Sequence, residues 1–123
     1  EIKLEHYHRY LLSKKFSVGK NVLDIACGEG YGSSQLAEVA ASVVGVDISK
    51  EAVEHARACY PKDNLEFLQG SCSKIPLPDD SVDVVVSFET IEHHNEHEDM
   101  MHEIKRVLNQ EGVLIISSPD KKE

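Results

Sequence analysis

Three glycines at alternate positions, Gly28, Gly30 and Gly32, follow the apolar run Val22-Leu23-Asp24-Ile25-Ala26, and an acid, Asp47, closes a second apolar run 19 positions after Gly28. A side chain at these glycines would hold a ligand off the backbone, and the helix expected to follow offers unpaired N–H donors in its first turn. Alone, such a turn also serves to pack a strand tightly against a helix. Asp47 makes the pattern more specific. At the end of the next strand its carboxylate can accept hydrogen bonds from both hydroxyls of a ribose, although it can equally cap the following helix beside Ser49. Strand, glycine turn, helix, strand and terminal acid in this order point to a nucleoside ligand.

The neighbouring acids narrow the choice of nucleoside. A dinucleotide would set its pyrophosphate at the helix N-terminus, where Asp24 and Glu29 would both oppose it. S-adenosylmethionine has no phosphate, and its ammonium and sulfonium tolerate an acid near the turn. The glycine spacing also departs from Gly-x-Gly-x-x-Gly.

These residues need strands that end together and helices that return the chain. Apolar, β-branched runs predict strands at 21–26, 42–47, 64–69, 82–88 and 113–117, the last preceded by a turn at 109–112. Helices are expected at 33–41, at 51–60 with Ser49 as cap and Pro61 as stop, and at 97–108, where Met100, Met101, Ile104, Val107 and Leu108 recur at core spacing. An N-terminal helix at 3–15 would present Leu4, Tyr7, Leu11 and Leu12 on one face. Strands apolar throughout, alternating with helices, imply a parallel sheet covered on both faces. Only the link between the third and fourth strands, with Pro76 and Pro78, is too short for more than a single helical turn.

Residues 24–32 and 44–49 resemble motifs I and II of the class I S-adenosylmethionine-dependent methyltransferases, in particular the small-molecule group, and the similarity continues through 67–72, 75–83, 87–93, 103–108 and 112–119. The resemblance implies an α/β, Rossmann-like, doubly wound and mainly parallel sheet of strand order 3-2-1-4-5, with helices on both faces. It also implies one domain over 1–123, with an N-terminal helical segment at 1–20. Strands six and seven of the family are lacking, so the chain is expected to be a C-terminally truncated piece, not necessarily active alone. Its fifth strand would be an exposed edge on which a homodimer could form.

Position by position, the resemblance places Ala26, Gly28 and Gly30 along the methionine part of the cofactor S-adenosyl-L-methionine and Asp24 near its ammonium. Asp47 would take the ribose hydroxyls, Ile48 one adenine face, and Ser71 and Cys72 the adenine edge. Phe88 and Glu89 would close the pocket beside the sulfonium. Tyr7 and Arg9, on the N-terminal helix, are candidates to fold over the cofactor, against a simple docking role. His93 is the candidate general base, although in-line methyl displacement gains much of its rate from alignment and does not require one. Ala26 stands where the family usually has its first glycine, Ser71 where an acid is frequent, and Gln110-Glu111-Gly112 where Pro-Gly-Gly is usual.

Composition excludes several other classes. Against 13 basic side chains stand 22 acidic ones, a formal charge of −9, which disfavours nucleic acid and anionic membrane as partners and leaves a small-molecule substrate. No apolar run approaches the roughly 20 residues of a membrane span, and no signal peptide is expected. Cys27, Cys59 and Cys72 are odd in number and widely spaced, as expected of free thiols in a reducing cytoplasm. The histidines of 92–98 and His102 lack the His-Glu-x-x-His spacing, so a solvated face is expected there and no metal site. The rival functions are an NAD-type oxidoreductase domain and a non-catalytic module that binds the cofactor.

Overall fold

The computed structural model describes residues 4–87 and 94–116, with side chains for 11–87 and 98–116. The elements run α1 (Leu4–Ser17), β1 (Asn21–Ile25), α2 (Tyr31–Ala37), β2 (Ser42–Asp47), α3 (Lys50–Cys59), β3 (Leu65–Gln69), β4 (Val82–Ser87), α4 (His94–Val107) and β5 (Leu108–Ile116). The strands form one parallel sheet in the expected order β3-β2-β1-β4-β5. The chain leaves β1 toward β2 on one side and later returns to β4 on the other. Parallel sheets bind ligands at that reversal, outside the carboxyl ends of the strands.

Alternation along β1 divides the interior. Leu23 and Ile25 join Val46, Val85, Met100, Ile104 and Val107 beneath α4, while Val22 joins Leu36, Val43, Val84 and Val86 beneath α2. A third cluster, Val53, Ala56 and Phe67, seats α3 on β2 and β3. Both faces are therefore covered, which explains why most positions of β1 and β4 are apolar. Asp24 belongs by alternation to the α2 face, the one acid in β1.

Ser49 caps α3 as its type predicts, its side chain accepting the Ala52 N–H at 3.1 Å. The N-terminal helix differs from expectation. Leu11 and Leu12 are 45% and 50% exposed, and among the described side chains of α1 only Ser13 and Ser17 are buried. α1 lies against α2, and Lys14 Nζ reaches Glu38 Oε1 at 2.8 Å beyond the end of that helix. Over the described side chains of α1, two small residues one turn apart, Ser13 and Ser17, allow the close approach.

The turn expected at 109–112 is present as a bulge within β5. Leu108 pairs with Val82 and pairing resumes at Val84 with Val113, leaving 109–112 opposite Asp83. Asn109 donates its side-chain amide to the Asp83 carboxylate and accepts the Glu111 N–H, which fixes the bulge. Among the described residues no helix is long and apolar enough to cross a membrane.

Candidate functional site

The chain turns sharply on leaving β1. The Ala26 and Cys27 N–H groups both donate to Val46 O, at 2.7 and 3.1 Å, pinning the start of the loop to the end of β2. Ala26, Gly28 and Gly30 all adopt positive φ, at 61°, 58° and 94°. The pucker thus survives with alanine in first place, at the strain a Cβ brings to left-handed backbone. Gly30 then opens α2 without a side-chain cap.

The two positive-φ glycines differ in what surrounds them. A Cβ on Gly28 would meet nothing within 4 Å, so the face above it is open to a ligand. A Cβ on Gly30 would lie 2.8 Å from Ala56 Cβ and from Phe67 Cζ. On the side where a Cβ would stand, Gly30 therefore seats the loop on α3 and β3.

Asp47 faces the bend. Its Oδ2 accepts the Gly28 N–H at 2.8 Å and its Oδ1 accepts the Ser49 N–H at 2.9 Å. Asp47 thus braces the start of the next helix and also touches the glycine loop. Each oxygen retains a lone pair for a further donor.

Asp24 is 4% exposed and accepts a hydrogen bond from Ser33 Oγ at 2.7 Å. Burial pushes its carboxyl up to about 7; the Ser33 bond opposes the rise and the Asp47 charge adds to it. Gly45, paired in register with Asp24, makes the arrangement possible. A Cβ there would come within 2.9 Å of Ser33 Oγ and 3.0 Å of Cys27 Sγ. Burial, and then the charges of Asp24 and Asp47, push the Cys27 thiol up to about 12, so it stays protonated and is no nucleophile.

Beside Asp47 lies a crevice of about 160 Å³ lined by Ile25, Ala26, Val46, Asp47, Ile48, Gly70, Ser71 and Cys72. Ile48 stands on its lip, 70% exposed. An apolar side chain so placed is suited to cover a flat ring. Ser71 Oγ is engaged within its own loop, accepting the Ser73 N–H and sharing a hydrogen bond with Ser73 Oγ, so it shapes the crevice wall. Two larger grooves of about 480 Å³ lie elsewhere, one between α4 and β5 and one by Phe16 and Asp83; neither contains a residue of the glycine loop.

The structure thus brings together Asp24, Ala26, Gly28, Asp47, Ile48, Ser71 and Cys72, with Gly30 just behind. Phe88, Glu89 and His93 lie outside the described residues, as do the side chains of Tyr7 and Arg9. Ser33, Gly45, Glu103 and Arg106 were missed by sequence reasoning. The signals available were a lone glycine inside a strand, which marks close approach, and an acid-base pair three apart on a helix. Among the described residues no group of three or more His, Cys, Asp or Glu side chains is placed to hold a metal ion.

Comparison with known proteins gives the family. Residues 23–116 match the family model described as a methyltransferase domain. A probable S-adenosylmethionine-dependent methyltransferase of Mycolicibacterium smegmatis is 43% identical over 103 residues, covering 84% of this chain and 39% of that protein. A fatty-acid O-methyltransferase of the same organism is 31% identical, covering 79% of this chain and 36% of that protein. The crystal structure of YcgJ from Bacillus subtilis superposes with a TM-score of 0.81 at 30% identity, over 90% of this chain and 50% of that one. The chain spans less than two fifths of the length of these two curated relatives. By family model, identity and fold together, the chain belongs to the class I S-adenosylmethionine-dependent methyltransferases.

Proposed function

We propose that this chain binds S-adenosylmethionine across the carboxyl edge of its sheet, and that the protein containing it transfers the methyl group to a small-molecule acceptor. The observation that carries the reading is the contact of Asp47 with the Gly28 N–H beneath an open face. In this reading Asp47 takes the ribose hydroxyls and Ile48 covers one side of the adenine in the crevice. The backbone of 26–28 runs beside the methionine part, and Asp24, behind the loop, offsets the ammonium charge. When bound, the cofactor supplies a methyl group on a sulfonium, open to in-line displacement. Ala26 and Gly28 let the loop approach it, while Gly30 and the Val46 carbonyl hold the loop still. Phe88 and Glu89 are proposed to close the pocket, Tyr7 and Arg9 to cover it, and His93 to accept a proton where the acceptor has one to lose.

A small-molecule acceptor is supported by the charge of −9, which opposes a polyphosphate, and by the named substrate of the fatty-acid O-methyltransferase relative. Free thiols support a cytoplasmic setting. A second copy of the protein is proposed as a partner, which sedimentation of the whole protein as a monomer would exclude.

Thermal melting with S-adenosylhomocysteine beside NAD tests the cofactor, because a ligand that binds only the folded state raises the midpoint. A shift with S-adenosylhomocysteine alone is expected. A shift with NAD alone would reverse the reading.

A further inference from the structure

The crevice wall at 70–72 is held from behind by a loop that has no helix of its own. Residues 70–81 join β3 to β4, and their local support is slight: the isolated bridge of Ser71 with Lys74, the Ser71 and Ser73 hydrogen bonds, and the Leu77 N–H donating to Ile75 O. α4 supplies the missing order. Arg106 directs all five of its N–H donors: Nε and one Nη2 bond to the two oxygens of Glu103, the other Nη2 bond goes to Ile75 O, and Nη1 goes to Leu77 O and Asp79 Oδ1, at 2.8–2.9 Å. Glu103 Oε1 accepts the Ile75 N–H at 2.8 Å, so both backbone groups of Ile75 are gripped. Behind them the Asp80 and Ser81 N–H groups donate to the carbonyls of Arg106 and Val107.

What is gripped bears directly on the crevice. The Ile75 side chain, 3% exposed, packs in one cluster with Ile25 and Val46, and Cys72 packs against that cluster. Pro76 follows, and a Cβ on Gly70 would meet its ring at 2.9 Å. Ile25, Val46, Gly70 and Cys72 are all lining residues of the crevice. A shift at 75–76 therefore moves the wall where a purine would sit, while the Asp47 and Gly28 contact, on β2 and the first loop, stays as it is.

We propose that Arg106 and Glu103 are positioning residues that set selectivity for the purine base of the cofactor, acting from α4 through Ile75 and Pro76. This rests on the proposed function above. Each partner favours the charged form of the other, holding the Glu103 carboxyl below its usual range and the Arg106 guanidinium above its own, so the grip does not titrate near neutrality. Lysine, a point charge with three donors, cannot reproduce the fork.

The test measures dissociation constants of the full-length protein for S-adenosylhomocysteine and for S-inosylhomocysteine, in which the 6-amino group is replaced by a 6-oxo group and N1 turns from acceptor to donor. Arg106→Lys is expected to weaken S-adenosylhomocysteine about tenfold and to bring the two constants together, equally at acid and alkaline pH, from loss of charge-assisted bonds. Glu103→Gln, which still accepts the Ile75 N–H, should retain most of the selectivity that Glu103→Ala loses, and this pair keeps the test alive if Arg106→Lys does not fold. Val43→Ala, a cavity at the opposite end of β2, controls for lost stability and should leave the ratio unchanged. An unchanged ratio in both Arg106→Lys and Glu103→Ala, with the parent protein binding normally, overturns this inference alone. Failure of the parent protein to bind S-adenosylhomocysteine overturns the cofactor reading and this inference with it.

Discussion

Asp47 Oδ2 accepts the Gly28 N–H at 2.8 Å, so the acid that ends β2 and the bend that follows β1 form one surface. Neighbouring parallel strands in register bring their carboxyl ends level, with Ile25 opposite Val46. The next residues on each strand then meet across the gap. A ligand that touches Asp47 must therefore also face the open side of Gly28.

Asp47→Ala removes the proposed ribose acceptor and also frees two backbone donors, those of Gly28 and Ser49. Affinity for S-adenosylhomocysteine should fall by about 1.5–3 kcal/mol, with the fold retained. Titration calorimetry checks this, and unchanged affinity would remove Asp47 from the site.

Gly28→Ala and Gly30→Ala should separate binding from stability. At Gly28 the new methyl enters open space, with about 1–2 kcal/mol of left-handed strain, and intrudes on the ligand. At Gly30 it strikes Ala56 and Phe67 and opens the seat of the loop. Denaturant melts with parallel ligand titration should show a folded variant that binds poorly in the first case and a markedly destabilised one in the second.

Ala26→Gly should stabilise the protein by about 1 kcal/mol, because relief at φ 61° exceeds the entropy glycine adds to the unfolded chain. Chemical denaturation measures it. A loss of stability would mean that the alanine methyl packs to advantage.

Cofactor affinity should rise with pH through neutrality. The Asp24 carboxyl, pushed up to about 7, is protonated below that pH and carries its charge above it, the form an ammonium prefers. For the fold the sign is opposite. Unfolded, the carboxyl loses its proton near the ordinary value of about 4, so its contribution to stability falls as pH rises from about 4 to about 7 and is level beyond. Ser33→Ala, which removes the bond that opposes the rise, should move the binding profile to higher pH and extend the decline in stability to higher pH, its lower end staying at about 4. Binding and unfolding measured from pH 5 to 9 test this, and flat profiles would contradict it.

The sheet and the principal acid were legible because both leave strong local marks. β1 and β4 are apolar at successive positions, and the capping residue of α3 and the acid before it fall where strand and helix meet. Relations set by tertiary contact were not legible. Among the described side chains of α1 the buried ones are Ser13 and Ser17, which an apolar periodicity passes over. Gly30 resembles Gly28 in sequence and differs only in having Ala56 and Phe67 against it. Asp24, Ser33 and Gly45 come from three elements and meet only once β1 and β2 are paired and α2 lies across them. Glu103 and Arg106 lie three apart on α4, and only the folded chain brings the 75–79 loop within their reach.

In the proposed function the Gly28 bend and Asp47 hold one adenosine-containing ligand between them. A crystal structure of the protein with S-adenosylhomocysteine is the decisive measurement. Both ribose hydroxyls should lie within hydrogen-bond reach of the Asp47 carboxylate, with the purine in the crevice beside Ile48. A ligand bound away from Asp47, or none at saturating concentration, would contradict it.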